Sequence, residues 1–368
     1  MSEAGKGGTI RAMDIVTQGL AGAVLAQSFS KNNETRIAMV VGFLAGLLAD
    51  IDALFTQSEV DPLLQLDFHR HFTHSIFFIP FGGLLAAALM WPVVKKHLSF
   101  RRLLLFTIVG YATSGVIDAC TSYGTSLLWP LSDQRISWNI ISILDPLFSM
   151  ALVAAIAFAA VKRTPRYAAF GLCFAISYLL VGFSQHERVE AMAMALAESR
   201  GHTVERIEIK PTMGNLILWR SIYEADGYFY MDAIRAGLPG EEKQYAGESV
   251  KRFELSDLPE IIEDSVLAED IKRFEFFSHG YISLFPGERP ILGDTRYSML
   301  PTSVQPIWGI ELNLADQQGH TPFNQFHDSS DLTRQTFIDM LLGEDIRIVK
   351  EGAKPESQVM ADSPEKQI

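Results

Sequence analysis

Apolar residues in the first half of this chain gather into six stretches, roughly 13–30, 37–55, 76–94, 103–120, 143–161 and 167–183, joined by short polar connections. The third, fifth and sixth approach the ~20 apolar residues that a membrane-spanning helix needs. The first, second and fourth carry Asp or Gln near one end. Each stretch alone fits a buried helix of a soluble protein. As a set they predict an α-helical polytopic membrane domain over residues 1–183, with about six helices or partial spans. Lys6, Arg11 and the Val24-Leu25-Ala26 segment give the first stretch some likeness to a signal peptide. Asp14, Thr17 and Gln18 interrupt what would be its apolar core, so it reads as a helix.

Beyond residue 184 the pattern changes. A helical run from Arg188 to Arg200 leads into strand-like stretches at 204–210, 216–223 and 228–234. Glu224-Ala225-Asp226-Gly227 joins the last two as a hairpin. A helix over 259–273, strands at 281–285, 296–299 and 307–314, and a helix over 332–342 complete an α+β extramembrane domain spanning 184–349. The polar segment 350–368, with Pro355 and Pro364, reads as a disordered tail. No internal repeat is present.

Charge sharpens this division. Residues 1–183 hold 13 Lys+Arg and 11 Asp+Glu; residues 184–368 hold 18 and 32. The second half is therefore acidic and water-compatible, and the net charge of −12 argues against a general nucleic-acid-binding role. Basic residues also orient the helices. Lys31 and Arg36, then Lys95, Lys96, Arg101 and Arg102, then Lys162, Arg163 and Arg166 occupy connections of the same parity. These connections are expected in the cytoplasm, with the C-terminal half on the opposite side. Lys6 and Arg11 count mildly against that orientation. Cys120 and Cys173 lie in apolar runs and read as buried thiols rather than a disulfide or zinc site.

The unusual polar residues follow the same parity. Asp14, Thr17 and Gln18 open the first stretch, Asp50 and Asp52 close the second, and His69, His71, His74 and Ser75 precede the third. Asp118 and Thr121 close the fourth, Asp145 opens the fifth, and Gln185 and His186 follow the sixth. All fall on the face opposite the basic connections. Ionisable groups at the edge of an apolar layer pair, bind metal or line a wet cavity. Imidazole and carboxylate donors together suit zinc or a similar divalent ion, and they also serve two-ion sites. Blander readings stand beside this one. Asp14 also fits a helix N-cap, Asp145-Pro146 a helix-start turn and His71 a surface residue. Arg70 fits either neutralisation of the acidic cluster or capture of an anionic substrate.

Specific stretches carry a family resemblance. MDIVTQGLAGA (13–23), LLADIDALF (47–55), HRHFTHS (69–75), DACTSYGTSLLWPLSD (118–133) and ILDPLF (143–148) resemble the YdjM-like bacterial inner-membrane proteins, described as membrane-bound metal-dependent hydrolases. PTMGNLILWR (211–220) and GDTRYSM (293–299) resemble the outer domain of one branch. The family has been placed beside zinc phospholipase C and S1/P1-type nucleases. The resemblance implies Asp14, Asp50, Asp52, His69, His74 and Asp118 as metal ligands, with zinc the expected ion. The family pattern often has His where this chain has Gln18 and Ser114, and Pro where it has Ala49.

These readings lead to one expected function. A metal-dependent hydrolase would act on an ester or phosphoester, lipid-linked if it arrives from the bilayer, at the extracytoplasmic face of the inner membrane. Arg70 would hold developing negative charge, and Thr121 or Tyr123 would orient the substrate. The alternatives are a non-catalytic membrane scaffold and an ion- or proton-coupled transporter. Trp219, Arg220, Asp294 and Arg296 read as structural, and His279, His320 and His327 lack a ligand constellation.

Overall fold

The computed structural model describes residues 7–54, 58, 60–237, 241–326, 328 and 330–346, with side chains from Val16 onward except at 53 and 54. The Asp14 side chain, His327 and the tail from Lys350 lie outside this set.

The first half is helical: α1 (Gly7–Ser28), α2 (Thr35–Leu47), α3 (Leu64–Phe68), α4 (Ile79–Val94), α5 (Phe100–Cys120), α6 (Pro146–Lys162) and α7 (Arg166–Ser199). Short 3₁₀ turns at Leu48–Leu54 and Phe72–His74 follow α2 and precede α4. Among the described residues, α5 and α7 are long and apolar enough to cross a membrane. The broken pair Leu64–His74 and Ile79–Val94, bent by 86°, makes a third candidate. A helix thus covers each of the six apolar stretches, but six spans are not established by length and composition.

Helix α5 packs against α1, α2 and α4, and α1 also meets α6 and α7. Small residues permit this. A Cβ on Gly42 would collide with the Gly22 backbone and with Ala26, and one on Gly110 would stand 2.8 Å from the Gly42 carbonyl oxygen. Close backbone approach of this kind replaces the hydrophobic drive that is weak within lipid. The outer faces keep large apolar side chains uncovered, among them Phe81, Leu89, Met150, Val161 and Phe170. Such a belt is a liability in water and suits hydrocarbon.

Helix α7 merges the sixth stretch and the expected 188–200 helix into one rod. Its 34 residues rise about 51 Å, beyond the ~30 Å hydrocarbon core. The far end packs under the first sheet: Val189 and Ala193 share a core with Ile209, Leu216, Trp219 and Ile234. The Gln185 amide donates to the carbonyls of Leu216 (3.1 Å) and Ala236 (2.7 Å), fixing helix to sheet.

Two four-stranded antiparallel sheets follow, β1 (Arg206–Pro211), β2 (Leu218–Ala225), β3 (Tyr228–Ala236) and β4 (Glu242–Lys251), then β5 (Ile282–Phe285), β6 (Ile291–Asp294), β7 (Trp308–Glu311) and β8 (Phe323–Gln325), each in sequential order. Asp226 and Gly227, with φ of 51° and 74°, make the β2–β3 turn, as the Asp-Gly pair predicts. Helix α8 (Val266–Phe277) covers the second sheet, and α9 (Asp331–Leu342) packs at the first. Leu63 and Leu66, beside and within α3, enter the core formed by Phe274, Phe277, Ile282 and Leu292, so the two halves share packed side chains.

Several expectations need correction. The 259–273 helix begins later, at Val266, where the Ser265 hydroxyl accepts the Ala268 amide at 3.1 Å. Residues 296–299 are not a strand: the Asp294 carboxylate accepts the Arg296 amide and turns the chain after β6. Strands β4, β6 and β8 were not anticipated. Cys173 is exposed on α7, whereas Cys120 is buried.

Candidate functional site

The 3₁₀ turn after α2 presents Asp50 and Asp52, both buried, towards the end of α5. The histidine segment reaches them from α3. It reverses at Arg70, whose φ of 58° aims its amide at Asp52 Oδ2 (3.0 Å) and its side chain at α5. The Tyr111 hydroxyl donates to the Thr73 carbonyl at 2.7 Å, tying this segment to α5. Gly115 permits the approach, because a Cβ there would collide with the His74 carbonyl oxygen.

These contacts bring five of the six expected ligands together. His74 Nε2 lies 3.2 Å from Asp50 Oδ1 and 3.1 Å from Asp118 Oδ2. His69 Nδ1 lies 3.1 Å from Asp52 Oδ1. Two ligand sets result, Asp50–His74–Asp118 and Asp50–Asp52–His69, sharing Asp50. The first is buried throughout. The second has an opening at His69, whose side chain is 16% exposed.

Hydrogen bonds assign the His74 tautomer. The Thr73 hydroxyl donates its proton to Asp52 Oδ2 (2.7 Å) and lies 3.0 Å from His74 Nδ1. With that proton spent, Thr73 accepts from His74 Nδ1–H. In the neutral ring Nε2 then carries a lone pair, facing two carboxylate oxygens. Either a cation between them or a second proton on the ring makes this favourable. Among the described residues neither oxygen of Asp50 has a hydrogen-bond partner. A tetrahedral ion with bonds of about 2.0–2.2 Å separates its ligand atoms by about 3.3–3.6 Å. The observed spacings of 3.1 and 3.2 Å approach that edge. Among the described residues, with neutral histidines, three carboxylates and the Arg70 guanidinium leave two negative charges, which one divalent cation would balance. The donor set therefore fits such an ion.

Other expected residues take different places. Arg70 Nε sits 3.1 Å from Asp118 Oδ2, and its guanidinium lies 5.0 Å from the Tyr123 ring centroid. Tyr123 is a roof residue, packed between Arg70 and Arg135 and against Phe277. The Thr121 hydroxyl donates to the Asp118 carbonyl (2.8 Å), so its proton caps α5 rather than orienting a substrate. His71 makes edge and tilted ring contacts with Phe68, Phe72 and Trp129 away from the ligand sets, and His186 stands on α7 beside Glu187 and Glu190. Neither supplies a further ligand to the two sets. Asp145 caps α6, accepting the Phe148 amide (3.0 Å) and the Tyr178 hydroxyl (2.6 Å).

The family-pattern departures also resolve. The Gln18 amide donates to Asp118 Oδ1 at 2.8 Å, so this position serves the carboxylate directly. Ser114 is fully buried and donates to the Gly46 carbonyl (2.7 Å), sealing α5 to α2. Thr73, Tyr111 and Arg135 were not anticipated; Arg135 Nη1 donates to the His69 carbonyl at 3.0 Å. None belongs to a recognisable ligand spacing.

The C-terminal half roofs the site. Phe277 meets Tyr123, and the Tyr297 hydroxyl donates to the Ser122 carbonyl. Arg273 of α8 binds Asp61, Asp67 and Asp270, with His320 joining Asp270 at 3.0 Å. Burial acts to raise the Asp61 carboxyl, but hydrogen bonds and charge from Arg273 outweigh it and hold it below its ordinary value. Asp294 and Arg296 pair in the interior, and Arg220 spans four carbonyls, three of them at Leu300, Pro301 and Thr295.

The fold combines a helical region with candidate membrane spans and a buried Asp/His site beneath a roof from the two-sheet region. Residues 13–189 match the model of the family described as YdjM inner membrane protein. The match contains every candidate ligand and ends within α7, before the two sheets. No curated protein and no solved structure matches the chain. The family's description and the apolar helix faces place the protein in the inner membrane.

Proposed function

We propose that this protein is a membrane-bound metal-dependent hydrolase of esters or phosphoesters, with its site at the extracytoplasmic boundary of a multi-pass domain. The carrying observation is the bare His74 Nε2 facing Asp50 and Asp118 at 3.2 and 3.1 Å. Asp50, His74 and Asp118 would hold a divalent ion, zinc by donor type, and Asp52 and His69 offer a second position around the shared Asp50. The bound ion supplies a water of lowered pKa and polarises the scissile group. Asp14 remains a proposed ligand from its family position.

The protein's own groups have separable parts. Thr73 and Asp52 fix the His74 ring. Gln18 and Arg70 orient Asp118, and Arg70 also provides a positive wall for a developing anion. His69 stands at the opening, where it meets an incoming group first. Tyr123 and Phe277 keep bulk water from the roof side. The orientation rests on the Lys/Arg connections.

Elemental analysis of the detergent-purified full chain tests the reading. A divalent ion should copurify at one or two per chain and fall sharply in His74→Ala. Hydrolysis of phosphoester and carboxylic-ester lipids should require that ion. Metal-free protein that takes up no zinc, or metal-replete protein inert towards both ester classes, would overturn it. A scaffold reading also has an observation in its favour: Gln18 and Arg70 already satisfy much of Asp118. Under that reading His74 is protonated between its carboxylates and no ion copurifies.

A further inference from the structure

We propose that a groove on the flank of α7 binds a zwitterionic phospholipid, its phosphate against Arg135 and its ammonium group against Glu187 and Glu190. The groove has a volume of 810 Å³ and is lined by α7, the 135–140 loop and β1. That volume lies within the ~300–1,000 Å³ of small-molecule sites.

Its chemistry changes along α7. Ile176, Leu179, Leu180 and Phe183 form an apolar wall, with Leu180 63% and Phe183 54% exposed. Glu187 and Glu190 follow on the same lining and pair only loosely with His186, at 3.7 and 3.9 Å. The rise from Ile176 to Glu190 is about 21 Å. That equals half of the ~40–45 Å bilayer measured with its headgroups. The apolar wall is continuous with the exposed membrane face of α7, so the groove has the length and polarity gradient of one leaflet lipid.

The charges specify the headgroup. Arg135 forms no ion pair among the described residues. Two of its nitrogens donate to the His69 and Gly124 carbonyls, and its enclosed Nε has no partner. Asn139, 6% exposed, lines the same groove with its Oδ1 unpartnered. A sheltered guanidinium with spare donor capacity suits a phosphate. The carboxylates further along suit an ammonium group. The Arg135–His69 hydrogen bond links the groove to the Asp/His site. A substrate role for the lipid rests on the hydrolase reading, whereas its binding does not.

Trp138, 46% exposed, lines the groove and reports on it. Phosphatidylethanolamine or phosphatidylglycerol carrying brominated acyl chains is titrated into the detergent-solubilised full chain. Quenching specific to Trp138 is obtained by subtracting the Trp138→Phe titration. Saturable quenching is expected, with phosphatidylethanolamine binding roughly tenfold tighter, as two exposed carboxylates can supply. The double variant Glu187→Gln, Glu190→Gln should abolish that preference, and Arg135→Gln should weaken both lipids. Glu187 and Glu190 are solvent-facing, so the double variant decides the matter even where Arg135→Gln fails to fold. Non-saturable quenching, equal binding of both lipids by the unaltered chain, or a preference unchanged in the double variant overturns the proposal. These readings need no hydrolysis and remain interpretable in an inactive protein.

Discussion

Thr73 determines which nitrogen of His74 carries the proton: its hydroxyl donates to Asp52 at 2.7 Å and stands 3.0 Å from His74 Nδ1. Thr73→Val keeps the shape but removes the acceptor for Nδ1–H. Nδ1 then competes for the proton that Nε2 must lack. Outer partners of metal-bound histidines are worth about 10–100-fold in affinity. Thr73→Val should weaken zinc binding by about that factor, and Thr73→Ser should restore it. Competition with a calibrated chelator measures both. Equal affinity in Thr73→Val would show that the tautomer is set elsewhere.

Asp50, Asp52, His69, His74 and Asp118 were legible in the sequence for a physical reason. Charges at the ends of apolar runs are costly, and alternating helix direction brings alternate ends to one face. Thr73 and Arg135 act through side-chain hydrogen bonds that have no periodicity to detect, whereas Gln18 was visible as a polar interruption but its bond to Asp118 was not. The fold shows the same division. Strands β1 to β3 have the alternation and the Asp-Gly turn. Strand β4, EKQYAGESVK, is an edge strand exposed at most positions, and Tyr245 is its one fully buried side chain. Its pairing with β3 comes from the sheet rather than from its own apolar pattern. The 296–299 error has a comparable origin, because the side-chain turn at Asp294 overrides the strand propensity of the residues after it.

Glu208 and Lys210 form a sheltered pair on β1, 2.9 Å apart. Burial opposes the Glu208 charge, but Lys210 and Arg296 outweigh it and hold the carboxyl at about 2, below its ordinary 4.5. A depressed carboxylate pKa stabilises the folded state fully above the unfolded value and loses that effect as pH falls through the folded one. The pair should therefore stabilise the C-terminal half above pH 4.5 and progressively less from pH 4.5 towards 2. Thermal unfolding of the full chain against Glu208→Gln checks this. The difference in Tm should be largest near neutral pH and shrink across that window. A difference independent of pH would assign the effect to packing.

Arg273 joins α8 to Asp61 and Asp67, on the segment that leads into the histidines. Arg273→Ala removes the shared counter-charge of three carboxylates and should loosen the roof before it unfolds the bundle. Hydrogen exchange should rise over residues 60–75 and 266–277 while α1, α2 and α5 keep their protection. The loss of one partner from a buried ion network costs about 3–5 kcal/mol, and partial exposure here reduces it. Unchanged exchange at 60–75 would mean that Leu63 and Leu66 alone hold the roof.

Asp50 is the residue common to both ligand sets, and neither of its oxygens has a hydrogen-bond partner. Asp118 differs, because Gln18 and Arg70 support it from within the protein. The two should respond differently to the same isosteric change. Asp50→Asn removes charge where no donor compensates, and it should abolish metal retention. Asp118→Asn removes one ligand from one set and the charge that faces Arg70, so it should cost stability as well as metal affinity. A ligand that binds only the folded state at 1,000 times its Kd stabilises by about 4 kcal/mol. Chelation should therefore lower the Tm of the unaltered chain and leave that of Asp50→Asn unmoved. The paired measurement separates an ion from a proton at this position. If His74 is instead protonated between its carboxylates, chelation changes nothing in either protein, and Asp50→Asn alters stability with no change in metal content.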